Sequence, residues 1–92
     1  MKKACAQHIL VKTEKQCLEI KDKIEKGADF GQMAKRFSTC ASAKRCGDLG
    51  EFNKGDMVKP FDDAVFKGEL LKVLGPVRTK FGFHLIKVLY RN

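Results

Sequence analysis

The sequence predicts a single α+β domain in which helices pack against one small sheet. Three observations lead to this class: a strand-like segment opens the chain, amphipathic helical patterns follow it, and two strand-like segments close it. A chain of 92 residues builds only one core, so we expect one domain over residues 1–92.

The first predicted strand is followed by the first predicted helix. Residues Ala6 to Val11 are short and β-favouring, which indicates a buried strand. Thr13 is suited to cap a helix because Gln16 follows three residues later. Apolar residues then recur at helical spacing until Gly27 ends the helix; they are Cys17, Ile20 and Ile24.

Asp29 is suited to cap a second helix, which has the clearest amphipathic pattern in the chain. Its apolar residues fall at i, i+3, i+4 and i+7, namely Phe30, Met33, Ala34 and Phe37. Residues 38–50 are small, polar or glycine and show no period, so we expect an ordered loop there. A short strand is predicted near Leu49 to Phe52.

The last third of the chain predicts a short helix and a hairpin. Pro60 suits a first helical turn, and the helix carries Phe61, Ala64 and Val65 on one face and ends near Gly68. Residues 69–75 are interpreted as a loop. Residues 77–80 and 83–90 predict a β-hairpin, and the second segment is apolar on both faces. Such a strand belongs in the middle of a sheet that helices cover.

The charge of the chain is strongly basic. Nineteen Lys and Arg against eleven Asp and Glu give +8, which would suit acidic partners, anionic lipid or nucleic acid. Lysines placed four residues after an acid, as in Asp22 with Lys26, favour instead a solvated helical face. The longest early apolar run, Ile9 to Val11, is too short for a signal peptide or a membrane span, so we expect a cytoplasmic protein without membrane contact.

Four cysteines are present, at positions 5, 17, 40 and 46, without C-x-x-C spacing, and the chain has only two histidines. This pattern favours reduced thiols and no metal site.

The two histidines are the first candidates for chemistry. His8 and His84 each lie in a predicted central strand, where a ring without a hydrogen-bond partner costs about 1 to 3 kcal/mol. If the strands are neighbours, the rings can satisfy each other, either as a core pair or as part of a site. Cys40 opens the irregular loop and is either a tuned nucleophile or a small buried thiol.

Four apolar residues near element ends are the second group of candidates. Met57 and Phe61 are four residues apart and can face one spot, while Leu49 and Phe81 lie at the ends of other elements. The residues alone leave two interpretations open: ordinary core, or the walls of a cleft large enough for a small ring.

Five segments in register resemble the parvulin family of peptidyl-prolyl cis/trans isomerases. They read H-I-L-V-K at 8–12, G-A-D-F-G at 27–31, G-D-L-G-E-F at 47–52, M-V-K-P-F at 57–61 and F-G-F-H-L-I-K-V at 81–88. The likeness covers nearly the whole chain and is greatest to the small single-domain bacterial parvulins. It implies a four-stranded, mainly antiparallel sheet surrounded by helices, in the order β-α-α-β-α-β-β.

The resemblance also implies a site and a reaction. His8, Cys40, Thr79 and His84 match the family's catalytic polar positions, and Leu49, Met57, Phe61 and Phe81 match the walls of its proline pocket. We therefore expect a monomeric isomerase of X-Pro bonds in accessible polypeptide segments, acting without covalent intermediate, metal or cofactor. The phosphate-directed branch has a long basic loop after the first strand, whereas Lys12 is followed here by Thr13, so phosphate specificity is not expected.

Two other functional classes remain as alternatives. A proline-directed binding or chaperone module would use the same pocket with little catalysis. A basic nucleic-acid-binding domain would show affinity that falls steeply with added salt.

Overall fold

The computed structural model describes residues 2–92, which form four strands, three α-helices and a short 3-10 helix. In chain order these are β1 Lys3–Val11, α1 Glu14–Glu25, α2 Phe30–Phe37, the 3-10 helix Ala41–Arg45, β2 Asp48–Asn53, α3 Lys59–Lys67, β3 Val73–Thr79 and β4 Gly82–Arg91. The predicted α+β class and element order are confirmed.

The four strands form one antiparallel sheet in the order β2-β1-β4-β3. β4 lies inside this sheet, as expected of a strand that is apolar on both faces. Its residues Leu85, Ile86 and Val88 are all fully buried, although they point to opposite sides. The sheet therefore needs cover on both faces.

Helices cover the two faces and create two separate apolar clusters. α1 and α2 pack on one face, over a cluster that includes Ile9, Phe30 and Leu85. α3 packs on the other, over a cluster that includes Phe61 and Ile86. The domain thus has three layers, and each face of the sheet has its own apolar cluster and its own covering helices.

The predicted helix caps are present. The Thr13 side chain accepts a hydrogen bond from the Gln16 amide at 3.2 Å, and Asp29 accepts one from Gln32 at 3.0 Å. Gly27 follows α1 with φ of +116°, a conformation that suits glycine. Of the helical charge pattern, Lys26 pairs with Asp22 at 3.0 Å.

The structure corrects three boundaries. The predicted loop at residues 69–75 is wrong for its last part, because β3 begins at Val73, where Val73 pairs with Lys87. Gly75, at φ of +123°, and Pro76 interrupt the ladder where its register shifts between Leu74 and Val77, which hid the strand from local patterns.

The other two boundary corrections concern β1 and the long loop. β1 begins at Lys3, three residues before the predicted start, since both β2 and β4 pair with it there. The segment predicted as loop over residues 38–50 contains the 3-10 helix. Within residues 2–92, no helix has the length and apolar character needed to cross a membrane.

Candidate active site

Two buried histidine rings meet on the face of the sheet that α3 covers. His8 is in β1 and His84 in β4, and the register pairs Leu10 with His84, so the two histidines are diagonal neighbours. Their Nδ1 atoms are 3.2 Å apart, and the rings are only 5% and 4% exposed. Each ring thereby provides the partner that the other needs in a buried strand.

A hydroxyl group continues this contact at each end. The Thr79 hydroxyl lies 2.7 Å from His84 Nε2, and the Ser42 hydroxyl lies 3.1 Å from His8 Nε2. The Phe81 amide donates to the Thr79 hydroxyl oxygen at 3.1 Å. The result is one hydrogen-bonded chain in the order Thr79, His84, His8, Ser42.

The proton count of this chain is consistent with two neutral rings. If Thr79 donates to His84, then His84 donates to His8, and His8 donates to Ser42; the reverse direction also satisfies every contact. In either direction each ring carries one N–H proton. Only a second proton on both rings would place two N–H donors face to face at the Nδ1 contact.

Burial also favours the neutral form of both rings, because it lowers their pKa values. It lowers the pKa of His8 from 6.5 to about 4, with a smaller contribution from the neighbouring His84. Burial also lowers the pKa of His84. Both imidazoles are therefore neutral at physiological pH.

A cavity of about 420 Å³ opens beside the two rings. It brings together the four predicted wall residues, Cys40 and both histidines; its lining consists of His8, Leu10, Cys40, Leu49, Asp56, Met57, Val58, Phe61, Phe81 and His84. Thr79 contacts this group through His84. The structure therefore brings all eight residues predicted from the sequence into one place.

Phe61 forms the wall that joins the cavity to the histidines. It lies near the N-terminus of α3, directly after Pro60, and is 4% exposed. Its ring meets His8 and His84 edge to face, with ring centres 5.5 and 5.2 Å away. By contrast Phe81, in the β3–β4 turn, is 59% exposed, so one wall is fixed and another is accessible.

The start of the long loop is fixed to β1, which sets the position of Cys40. The Ser38 hydroxyl accepts hydrogen bonds from the amides of Leu10 and Cys40, at 3.0 and 3.3 Å. The Thr39 amide donates to the Leu10 carbonyl at 2.8 Å. Cys40 is half-buried and, like the other three cysteines, a free thiol.

A family model for the PPIC-type peptidyl-prolyl isomerase domain matches residues 2–92 of this chain. The chain belongs to the parvulin family of peptidyl-prolyl cis/trans isomerases. Among solved structures, NmPin, the parvulin of Nitrosopumilus maritimus, is 43% identical with a TM-score of 0.87, and the match covers 98% of both chains. The domain is thus a peptidyl-prolyl isomerase of the parvulin type, as the sequence predicted.

Longer proteins that are named foldases contain a segment similar to this chain. The foldase protein PrsA of a Geobacillus species is 51% identical over 84 residues, which cover 90% of this chain and 30% of that protein. PrsA from Bacillus subtilis has a TM-score of 0.91 at 43% identity, covering 96% of this chain and 35% of that one. The chain spans about 30% of the length of the first curated relatives it matches.

Four site residues were not singled out from the sequence. Ser42, which is 2% exposed, belongs to the 3-10 helix that no local pattern revealed. Leu10 could have been found, because it shares a strand face with His8. Asp56 and Val58 line the cavity from the turn before α3. In this turn only Met57 was singled out from the sequence, because Phe61 lies four residues after it.

The candidate site combines a mainly apolar cavity with the neutral histidine pair and one acidic side chain, Asp56. Within residues 2–92, His, Cys, Asp and Glu side chains form no cluster of three or more that could hold a metal ion. A cavity of this size and character suits a small apolar ring with an amide beside it.

Proposed function

We propose that this domain accelerates rotation about X-Pro bonds in accessible or unfolded polypeptide segments, by a non-covalent route and without preference for phosphorylated residues. The observation that carries the proposal is the position of the neutral His8–His84 pair at the wall of an apolar cavity. This arrangement suits an uncharged ring and a neutral amide.

The reaction needs no bond to carbon. Amide resonance opposes rotation with a barrier of about 18 to 20 kcal/mol, and only X-Pro bonds populate both isomers substantially. In our proposal Leu49, Met57, Phe61 and Phe81 hold the pyrrolidine ring. One side of the bond is then fixed while the other turns, which lowers the entropy cost of reaching the twisted state.

The polar residues act as a fixed electrostatic frame. The planar amide separates charge more than the twisted amide does, so a site drier than water favours the twisted form. His8 and His84 orient the substrate carbonyl through the fixed dipoles of their rings. They transfer no proton to the substrate, because burial lowers the pKa of both rings and keeps them neutral. Thr79 and Ser42 hold the rings in place, and Cys40 contributes a small, weakly polar wall.

Two features argue against phosphate recognition. Only Lys12 and Thr13 separate β1 from α1, and Thr13 is occupied as the cap of α1, so this connection offers no basic loop. Asp56 lines the cavity and would repel a dianionic phosphate. We therefore expect uncharged or apolar residues before proline to be preferred.

We further propose that the domain acts as a monomer on folding intermediates. Free thiols at all four cysteines fit a reducing compartment such as the cytoplasm. Light scattering in solution tests the monomeric state. Localisation of the protein in the cell tests the compartment.

The function is tested with two peptides that differ only in phosphate, one containing Ala-Ser-Pro and one containing Ala-phosphoserine-Pro. NMR exchange measurements with catalytic amounts of protein should show acceleration for the first and at most equal acceleration for the second. Binding of both without acceleration would favour the proline-directed binding module. A strong preference for the phosphorylated peptide would contradict the proposed specificity.

A further inference from the structure

A second groove lies on the opposite face of the sheet from the active site. Its volume is about 640 Å³, and its apolar lining belongs to the layer under α1 and α2, with Ile24, Ala28, Phe30 and Val73 among its residues. The active-site cavity is lined from the α3 side, for example by Leu49, Met57 and Phe61. A ligand in the second groove would therefore leave the proline pocket free.

Leu71, at the mouth of this groove, is an unexpected residue for its position. Its backbone is left-handed, with φ of +61°, a conformation that asparagine and glycine adopt far more readily than leucine. Its side chain is 63% exposed, and that of the adjacent Leu70 is 43% exposed. Neither the backbone conformation nor burial in the core accounts for a leucine here, and an exposed leucine of this kind is suited to contact another molecule.

The groove also has walls of opposite charge. Glu25, at the end of α1, and Asp29, the cap of α2, lie on the helical side, while Lys72 and Lys87 lie on the strand side. Within residues 2–92, the ion pairs of 4.0 Å or less are made by other side chains. The four charges balance although the chain carries +8, so the groove is not part of a general basic surface.

We propose that this groove binds a second, extended segment of a polypeptide client. An apolar side chain of that segment packs against Leu71, an acidic residue faces Lys72 and Lys87, and a basic residue faces Glu25 and Asp29. The segment needs no proline. The inference rests on the proposed function only in taking unfolded polypeptide as the client. Binding at two places on one client raises the effective concentration of X-Pro bonds at the active site.

The test uses short synthetic peptides and amide NMR spectra of the intact domain. The probes are Ac-Lys-Ser-Leu-Phe-Ser-Glu-NH2, the same residues in reverse order, and a neutral version with Gln in place of Lys and Glu. We expect peptide-dependent shifts at residues 24–30, 71–73 and 87 rather than around the histidines. At low salt, whichever of the two charged peptides binds more tightly should bind at least about fivefold more tightly than the neutral one. Added salt should remove that difference.

Variants at the groove provide the controls. Leu71→Asn removes the apolar contact but suits the left-handed backbone, so binding should weaken about tenfold while the Tm stays the same or rises. Leu18→Asn is the matched control, since Leu18 is 48% exposed on α1 outside the groove, and it should bind like the parent. Lys72→Glu should abolish the preference for the charged peptide.

Several results would overturn this inference. They are shifts confined to the active-site cavity, unchanged peptide binding by Leu71→Asn, or a fall in Tm larger for Leu71→Asn than for Leu18→Asn. Concentration-dependent shifts at the groove without peptide would assign it to a second copy of the chain. Exchange in a short Ala-Leu-Pro peptide should be equal in all variants, so a failure of isomerase activity itself is recognised separately.

Discussion

At the residue scale, the neutral His8–His84 pair links stability to pH. The pKa of His8 is 6.5 when the ring is free and about 4 in the fold, so between these values the unfolded chain binds more protons. Stability is therefore full above about pH 7 and falls as the pH drops from there towards 4, by on the order of 3 kcal/mol for this one group. The lowered pKa of His84 acts in the same direction.

Urea unfolding at several pH values between 7.5 and 4.5 measures this dependence. The His8→Gln variant is the control, because it removes one titrating ring and should flatten part of the slope. A stability that stayed constant, or rose, as the pH fell from 7 to 5 would contradict the buried neutral pair.

Cys40 separates a covalent from a non-covalent route at the same scale. The thiol lines the cavity, whereas the hydrogen-bonded chain runs from Thr79 through both histidines to Ser42. We expect Cys40→Ser to keep kcat/KM within about tenfold of the parent, because serine is close to cysteine in size and the hydrogen-bonded chain does not include this side chain. Near-total loss in peptide exchange assays, with an unchanged Tm, would indicate nucleophilic chemistry instead.

At the scale of elements, a glycine between the 3-10 helix and β2 lets the long loop approach His8. Gly47 has φ of +82°, its carbonyl accepts the His8 amide at 2.9 Å, and a Cβ there would lie 2.5 Å from the His8 carbonyl. Gly50 has a similar φ of +70°, but open space surrounds it. The two glycines share a left-handed backbone conformation, but only Gly47 lies against another strand.

This difference predicts unequal effects of alanine. Gly50→Ala should destabilise the domain by about 1 to 2 kcal/mol, the strain of a left-handed alanine. Gly47→Ala should cost at least about 1 kcal/mol more, because β1 must also shift, and it should reduce activity through His8. Chemical denaturation of both variants measures the comparison; equal losses would show that the close approach to β1 is unimportant.

The elements also show what local sequence can and cannot reveal. The α2 stripe and the caps at Thr13 and Asp29 were predictable, since the determining residues are within a few positions of one another. The first half of β3 and the 3-10 helix were not. Val73 pairs with Lys87 across the sheet, and Ser42 gains its role only by contact with His8, so their structure depends on residues distant in the chain.

The candidate site was predictable in a different way. Periodicity left His8, His84 and Phe61 as either core or site; each is at most 5% exposed, as core residues are, and each also lines the cavity. The resemblance of five segments to one family identified them as a group. Ser42 escaped because a small serine in an irregular loop has no distinguishing local pattern.

At the scale of the whole molecule, the two faces of the sheet carry separate cavities. The α3 face holds the candidate active site, and the α1–α2 face holds most of the other core and the second groove. Substitutions in the α3 cluster should therefore divide into those that only weaken the fold and those that also remove the pocket. Phe52 and Phe61 offer this comparison, since both are buried in that cluster and only Phe61 lines the cavity.

Catalysis by this cavity is tested most directly by the rate of cis/trans exchange in an unphosphorylated Ala-Leu-Pro peptide, followed by NMR with the parent, Phe61→Ala and Phe52→Ala, each corrected for its folded fraction. We expect strong acceleration by the parent, near-complete loss in Phe61→Ala, and activity close to the parent in folded Phe52→Ala. No acceleration by the parent, or equal activity in folded Phe61→Ala, would contradict the proposal that this cavity catalyses prolyl isomerisation.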